Sequence, residues 1–549
     1  MAEAKNTAGE DAGKTGNDAG SGFMGMNPIK VVFAMEYILQ GLANPFQGIT
    51  YQPFFKHFTV DYGLNEAATQ NLFSRSYLAW SFKPILGFLI DAYGKTKIIL
   101  TLLLSAAVFL FFFSPVVDVS VNIFFWYMFV LSVFLAATDV AVDRATVVEG
   151  DQEAQATGQS KSTTVGLNQA ICWAAIYGTS IVSAVAGGWI ADNAPFKWLM
   201  VCLGFVPLLV LIVVLQLPKD QGATIPLRES VGNFWAGLNT GPVLWIILFY
   251  FLFHFQPAMG ALWVNYQIKT LGFTQTQIGI GDGATYVGYL IGVLVFAKYG
   301  VRWQDGFGLK RVFQIVIILS ILANLTQYLM VDPYFTRIAD WLGATFPFAS
   351  RDQVRVGFMC VYNLFLYTFI GFTRMSTFSL VGAVIPAKAA GALFAGFMSV
   401  ANLAYSFSYA SGSWLYTHGL EYGFMRSVQE GVFGIQAQAG ANLSISMLIL
   451  IGSAAYLLSF TAAHMLPDRR ETVATEDVSE FMLGPEHFDS LGKAFLWRVN
   501  QATAVLMAGV FGLMFFGFDF DFIGSTLLAF FLIVFLRKNF LEWRYKRSR

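Results

Sequence analysis

The chain has 549 residues, of which 56% are hydrophobic, 16% aromatic and only 12% charged. Soluble globular proteins carry roughly 25% charged residues, so half that share with a mean hydropathy of +0.58 excludes an ordinary soluble enzyme. Basic and acidic residues balance at 34 each, which argues against nucleic acid or a strongly acidic partner.

Residues 1–27 are rich in Gly, Ala and Asp and read as a disordered cytoplasmic tail, without the apolar stretch of a signal peptide. Apolar segments then predict helices at 28–52, 66–93, 97–117, 121–149, 160–191 and 196–217. About 20 apolar residues cross a bilayer as a helix, and the alternation of a membrane β-barrel is missing from these segments. A central cytoplasmic loop, 218–239, separates them from six more at 240–268, 276–299, 309–331, 353–385, 388–417 and 443–466. The layout predicts an all-α polytopic membrane protein with six-helix bundles at 28–217 and 240–467. An extension at 468–549 holds apolar stretches at 494–518 and 522–536 and a basic tail, read as a C-terminal helical hairpin.

Orientation follows from the bias of Lys and Arg toward cytoplasmic loops. With the N-terminus inside, Lys95, Lys97, Lys161, Arg228, Lys298, Arg302, Lys310, Arg311, Lys388 and Arg469 fall on the cytoplasmic side. Only Lys56, Lys197, Lys269, Arg337, Arg351, Arg355 and Arg426 fall outside. Both termini are therefore expected in the cytoplasm, in a plasma or bacterial inner membrane. Cys172, Cys202 and Cys360 all lie in apolar segments, giving neither a disulfide framework nor metal-ligand spacing.

Ionisable residues inside spans are costly and mark function. The first span carries Glu36, Gln40, Asn44 and Gln47 at spacings that share one helical face. The fourth has Ser132, Asp139 and Asp143, the seventh His254 and Asn265, and the tenth Asn363 and Arg374. Polar stripes on the first and fourth helices of both halves predict a shared central cavity. Packing between helices is the competing reading for each Asn and Gln. In the second span Lys83 precedes Pro84, which predicts a kink. A cation there suits an anionic substrate better than Arg75, which lies near the outer end.

The run Gly87-Phe-Leu-Ile-Asp91-Ala-Tyr-Gly94-Lys95-Thr-Lys97 resembles the signature of the major facilitator superfamily. Gly87 permits close helix approach, and Asp91 with Lys95 and Lys97 reads as a cytoplasmic charge gate. Several blocks are similar to those of the folate-biopterin transporter family within that superfamily. They are Tyr37-Ile-Leu-Gln-Gly, Lys83-Pro-Ile-Leu-Gly87 with Asp91, Thr138-Asp-Val-Ala-Val-Asp143 with Val147-Val-Glu149, Gln256-Pro257, and Met398-Ser-Val-Ala-Asn-Leu403. The likeness spans roughly 30–465 and departs from the family at Ala390 and Ala392, in a cytoplasmic loop.

The resemblance implies a major facilitator fold and uptake of folate or a related pterin, commonly with protons. On this reading Lys83 and Arg374 meet substrate carboxylates, and Tyr37, Phe253, Trp263 or Tyr367 stack on the flat ring. Glu36, Asp139 or Asp143 carries the proton. The expected partners are thus a small-molecule substrate, protons and the lipid bilayer, with no cofactor. A muropeptide-permease-like importer and a non-transporting assembly or pigment-binding factor are the alternatives. A phosphate loop, a metal cluster and a nucleophile elbow are all missing from the sequence, so an enzyme is not expected.

Overall fold

The computed structural model describes residues 27–158, 161–218, 226–238, 241–300, 303, 309–384, 390–438, 440–463 and 466. The N-terminal tail, the predicted hairpin with its basic tail, Pro386 and Lys388 lie outside the described residues. All regular structure within them is helical.

Within the described residues each predicted span is occupied by helix, in one piece or in two. The first is α1 (Pro28–Ala43) and α2 (Tyr51–Lys56), the second α3 (Glu66–Ser81) and α4 (Lys83–Tyr93). Then come α5 (Thr96–Val117), α6 (Val121–Thr157), α7 (Lys161–Asn193), and α8 (Phe196–Leu203) with α9 (Phe205–Leu215). The central loop contains α10 (Leu227–Leu238). The second half comprises α11 (Gly241–His254), α12 (Gly260–Lys269), α13 (Gln275–Val295) and α14 (Leu309–Leu325). It continues through α15 (Tyr334–Thr345), α16 (Arg351–Val384), α17 (Ala390–His418), α18 (Gly423–Phe433) and α19 (Ile445–Ala463).

Among the described residues, seven helical segments are by themselves long and apolar enough to cross a membrane. The first, second and seventh spans are instead interrupted, each where the sequence places a proline. Pro45 follows α1, Pro84 opens α4, and Pro257 lies between α11 and α12. Proline lacks the N–H that would continue the helical ladder, and non-helical backbone at membrane depth must be satisfied by protein. At the first break Ile49 N–H donates to the Leu42 carbonyl at 2.9 Å, and Thr50 Oγ1 donates to the Pro45 carbonyl at 2.6 Å. A Cβ on Gly48 would lie 2.3 Å from the Leu42 carbonyl, so this turn closes only around glycine.

Helix ends follow local chemistry. Asn65 caps α3 through Ala68 N–H at 2.8 Å, and Thr274 with Gln277 forms a reciprocal capping box on α13. The 37-residue α6 spans about 55 Å, well beyond a ~30 Å hydrocarbon core. Its polar end therefore projects from the bilayer, where Asn27 donates to Glu149 at 2.8 Å and Lys30 pairs with Glu153 at 2.5 Å.

In the first half α1 packs on α7 and α9, and α5 on α6 and α9. In the second α13 packs on α16, α14 on α19, and α11 on α17 and α19. The halves meet along α3 with α17 and along α7 with α13, second helix against eleventh and fifth against eighth. The latter seam is close. A Cβ on Gly188 would come within 2.4 Å of the Gln275 carbonyl, and Gly279 lies against Gly188.

Candidate functional site

The proline breaks and the two seams enclose polar groups from both halves. In the first half the α1 and α6 stripes face each other, as their spacing predicts. Gln40 Nε2 donates to Asp139 Oδ1 at 2.6 Å, and Lys83 Nζ donates to Asp139 Oδ2. Lys83 also lies 5.1 Å above the Trp80 ring. Tyr37 OH donates to Asp143 Oδ1 at 2.8 Å, and Gln169 Nε2 reaches the same oxygen at 3.2 Å. Pro84 at the first turn of α4 needs no helical partner, so α4 starts afresh after Phe82 and Lys83 points inward.

Glu36 is fully buried. Thr138 Oγ1 lies 2.5 Å from Glu36 Oε1 and 2.7 Å from the Leu135 carbonyl, so one hydroxyl hydrogen faces two acceptors. Glu36 Oε2 has no hydrogen-bond partner, and no cation pairs with Glu36 among the described residues. Three carboxylates therefore share this half of the site with one lysine, and that lysine is bonded to Asp139.

The first-span stripe does not run as far as its spacing predicts. The helix stops before Pro45, so Asn44 serves the turn: its Oδ1 accepts from Phe46 N–H at 3.3 Å, and its Nδ2 donates to Gln47 at 3.3 Å. Gln47 itself is exposed. The same correction applies to His254 and Asn265. Eleven residues would put them on one face of a continuous helix, but residues 255–259 are not helical and the register is lost. Both are buried. His254 Nδ1 meets Tyr405 OH at 3.1 Å, while Nε2 has no partner.

In the second half the site holds a cation among aromatic rings. Arg374 on α16 lies 5.9 Å from each of the Tyr289 and Tyr405 rings, with Tyr177 and Tyr250 also beside it. It forms no ion pair among the described residues, and its Nε has no hydrogen-bond partner. Tyr177 stacks on Tyr289 across the α7–α13 seam, with ring centroids 5.9 Å apart. Tyr289 packs on Tyr367, and Tyr77 on Tyr405 and Tyr409. Of the stacking residues expected from sequence, Tyr37 and Tyr367 face these clusters. Phe253 packs in the α11 core, and Trp263 packs on Tyr266. Asn363 donates to the Gly281 carbonyl at 3.0 Å and so ties α16 to α13.

The tyrosines on α13 and α17 have no counterpart in the charge-based reading. Nor does Asp282, which accepts from Gln52 Nε2 at 3.1 Å. The signal was present, since Asp282 is an ionisable residue inside an apolar span.

At the predicted charge gate, the partner of Asp91 is not a neighbouring lysine. Asp91 accepts from Arg144 Nε at 3.0 Å and from Ser230 on α10 at 3.4 Å, rather than from the neighbouring lysines. Lys95 is exposed and lies 6.0 Å from the Tyr93 ring. Lys97 donates to the Leu215 and Leu217 carbonyls at the end of α9, where a cation complements the helix dipole. Gly87 is buried, but a Cβ there would meet only Val140, at an ordinary contact distance of 3.7 Å, so the packing of α4 on α6 does not by itself demand glycine.

Cross-bundle hydrogen bonds concentrate on the side away from the N-terminus, the far side. Lys269 pairs with Glu66 at 2.5 Å, Thr276 N–H donates to Asp192 at 2.8 Å, and Ser413 Oγ donates to the Ala67 carbonyl at 3.0 Å. Gln70 Nε2 donates to the Ala258 carbonyl at 2.6 Å and its Oε1 accepts from Leu262 N–H at 3.3 Å. One side chain from the first half thus satisfies the broken helix of the second. This conformation is closed on the far side.

A sequence model of the BT1 family, the folate-biopterin transporters, matches residues 40–482. No curated protein matches the chain in sequence. Among solved structures, the D-xylose-proton symporter is similar with a TM-score of 0.52 at 14% identity, over 80% of this chain and 98% of the symporter. The nucleoside transporter NupG is similar with a TM-score of 0.51 at 13% identity, over 80% and 98% of the two chains. At such identities the likeness establishes the major facilitator fold and leaves the substrate to the site.

Proposed function

The chain belongs to the BT1 family and is a multi-pass membrane transporter of the major facilitator fold, and we propose that it carries folate or a related pterin. The observation that carries this reading is Arg374: a half-buried cation whose buried Nε has no hydrogen-bond partner and which pairs with no carboxylate among the described residues, ringed by tyrosines. An isolated buried charge is costly unless something neutralises it. A folate supplies carboxylates for the guanidinium and a flat heteroaromatic ring for the tyrosine faces, which suit both stacking and cation–π contact. Lys83 is already bonded to Asp139, so anion binding falls to Arg374 rather than to both cations. The amino and ring N–H groups of a pterin suit the acceptors of Asp143 and Asp139.

Transport proceeds by rocking of the two bundles about this central site, with the N-terminus and the Asp91 gate on the cytoplasmic side. Protons drive uptake. The hydrogen count at Thr138 supports Glu36 as the carrier: if the carboxyl holds the proton and donates to Thr138 Oγ1, the hydroxyl hydrogen is free for the Leu135 carbonyl.

The test is uptake of labelled folate into proteoliposomes, with and without an inward proton gradient. Unlabelled pterin and muropeptide serve as competitors. Gradient-stimulated accumulation that pterin competes is the expected result. Uptake competed by muropeptide alone, or none above empty liposomes from folded protein, would refute the substrate.

A further inference from the structure

Gln52 and Asp282 belong to different bundles. Gln52 lies on α2, just past the first proline break, and Asp282 lies on α13, along the seam with α7. Their hydrogen bond of 3.1 Å therefore holds only while the far side is closed. Gln52 is 2% exposed, and its Oε1 has no hydrogen-bond partner. Asp282 is half-buried and forms no ion pair among the described residues. The groups around it are tyrosines: Tyr51 on α2, Tyr367 on α16 and Tyr286 one turn along α13. Tyr286 also feels the charge of Arg374, the cation of the site.

A carboxamide and a carboxylic acid are complementary through two hydrogen bonds. The amide N–H donates to the carboxyl C=O, and the carboxyl O–H donates to the amide C=O. A carboxylate can accept the first but cannot make the second, which leaves the Gln52 carbonyl buried and unpaired at a free-energy cost. When the bundles separate, water satisfies both groups and the ionised form no longer carries that cost. Closure on the far side thus favours a proton on Asp282, and loss of the proton favours opening.

We propose that Gln52 and Asp282 form a proton-controlled latch across the far side of the two bundles. Asp282 is only half-buried, so a proton can reach it without unfolding the seam. The proposal rests on the alternating-access reading above, and it makes the coupling ion act directly on a gate.

Double electron–electron resonance tests the latch without any transport measurement. Spin labels at Val60 and Tyr334, exposed far-side positions of the first and second halves, report the separation in a cysteine-free background in proteoliposomes. In the otherwise native protein, the long-distance population should grow several-fold from acidic to alkaline buffer. Asp282→Asn keeps both hydrogen bonds whatever the pH, and should stay at the short distance throughout. Gln52→Leu, which loses both hydrogen bonds to the protonated acid, should show a larger long-distance population than the parent in acidic buffer.

The second titratable cluster on this side, His57 with Asp61 and Asp118, is unchanged in both variants. A pH response that persists in Asp282→Asn would therefore assign the effect elsewhere and overturn the latch. So would distances in the parent that ignore pH. A latch that fails in protein that still accumulates folate leaves the transport reading intact. A pH-responsive latch in protein that moves no folate points to another substrate.

Discussion

Replacing Lys83 by Met should destabilise the first bundle far more than replacing it together with Asp139. Lys83 and Asp139 are 7% and 2% exposed, and their contact lies between α4 and α6. Removing one member of a buried ion pair typically costs 3–5 kcal/mol because a charge is left uncompensated, whereas replacing both by neutral groups is often close to neutral. Here Lys83→Met leaves Asp139 beside Asp143 and Glu36 with only the Gln40 amide as donor, so the upper part of that range is expected. Asp139→Asn is milder: Lys83 still faces Asp143 and the Trp80 ring, and an asparagine still accepts from Gln40.

The single substitutions should therefore cost about 4–5 and about 3 kcal/mol, and the double variant Lys83→Met with Asp139→Asn within about 1 kcal/mol of the parent. Their coupling would then be about 6 kcal/mol or more, which a double-mutant cycle reads directly. The assay is reversible unfolding in mixed micelles, followed by tryptophan fluorescence. Losses that add within about 0.5 kcal/mol would refute the reasoning, since additivity marks residues that do not interact.

Two further outcomes follow from the site. Arg374→Ala should abolish folate uptake without loss of expression or of folded protein in detergent. Normal uptake by a well-folded variant would remove Arg374 from the substrate site. Glu36→Gln, the neutral isostere, should retain counterflow exchange of labelled for unlabelled folate but lose accumulation driven by a proton gradient. Undiminished gradient-driven accumulation would exclude Glu36 as the carrier.

His57 lies past the predicted end of the first span, stacked on Phe196 and bonded to Asp61 at 2.7 Å and Asp118 at 3.0 Å. Burial pulls its pKa down, but the hydrogen bonds and charges of Asp118 and Asp61 outweigh this and raise it above the ordinary histidine value. A raised native pKa gives stability that is fully present below the unfolded value, about 6.5, and is lost as pH rises through the native one. His57→Gln should remove that loss on the alkaline side, read as a flatter dependence of melting temperature on pH. An unchanged profile would show that the cluster contributes nothing to stability.

The spans were legible in sequence because each rests on a local property, a run of apolar residues of bilayer length. The shared face of Asp139 and Asp143 was equally legible, because four residues return to one side of any helix. Pro84 announced its break, and so could Pro45 and Pro257 have done. Without them the stripe at Asn44 and the pairing of His254 with Asn265 were extended through backbone that is not helical.

What the sequence could not supply is which groups meet. Lys83 and Arg374 read alike as buried cations, yet one is bonded to Asp139 and the other stands among tyrosines. Asp91 has lysines four and six residues away, yet its partner is Arg144 on another helix. Gln52 and Asp282, 230 residues apart, meet only because two bundles close. Periodicity fixes the face a residue occupies on its own helix. The partner depends on how helices cross and rotate against one another, which is set by the packing of many side chains at once. That packing turned a set of charged positions into a Lys83–Asp139 pair, an arginine among tyrosines and an Asp91–Arg144 contact, and only the tertiary structure decided it.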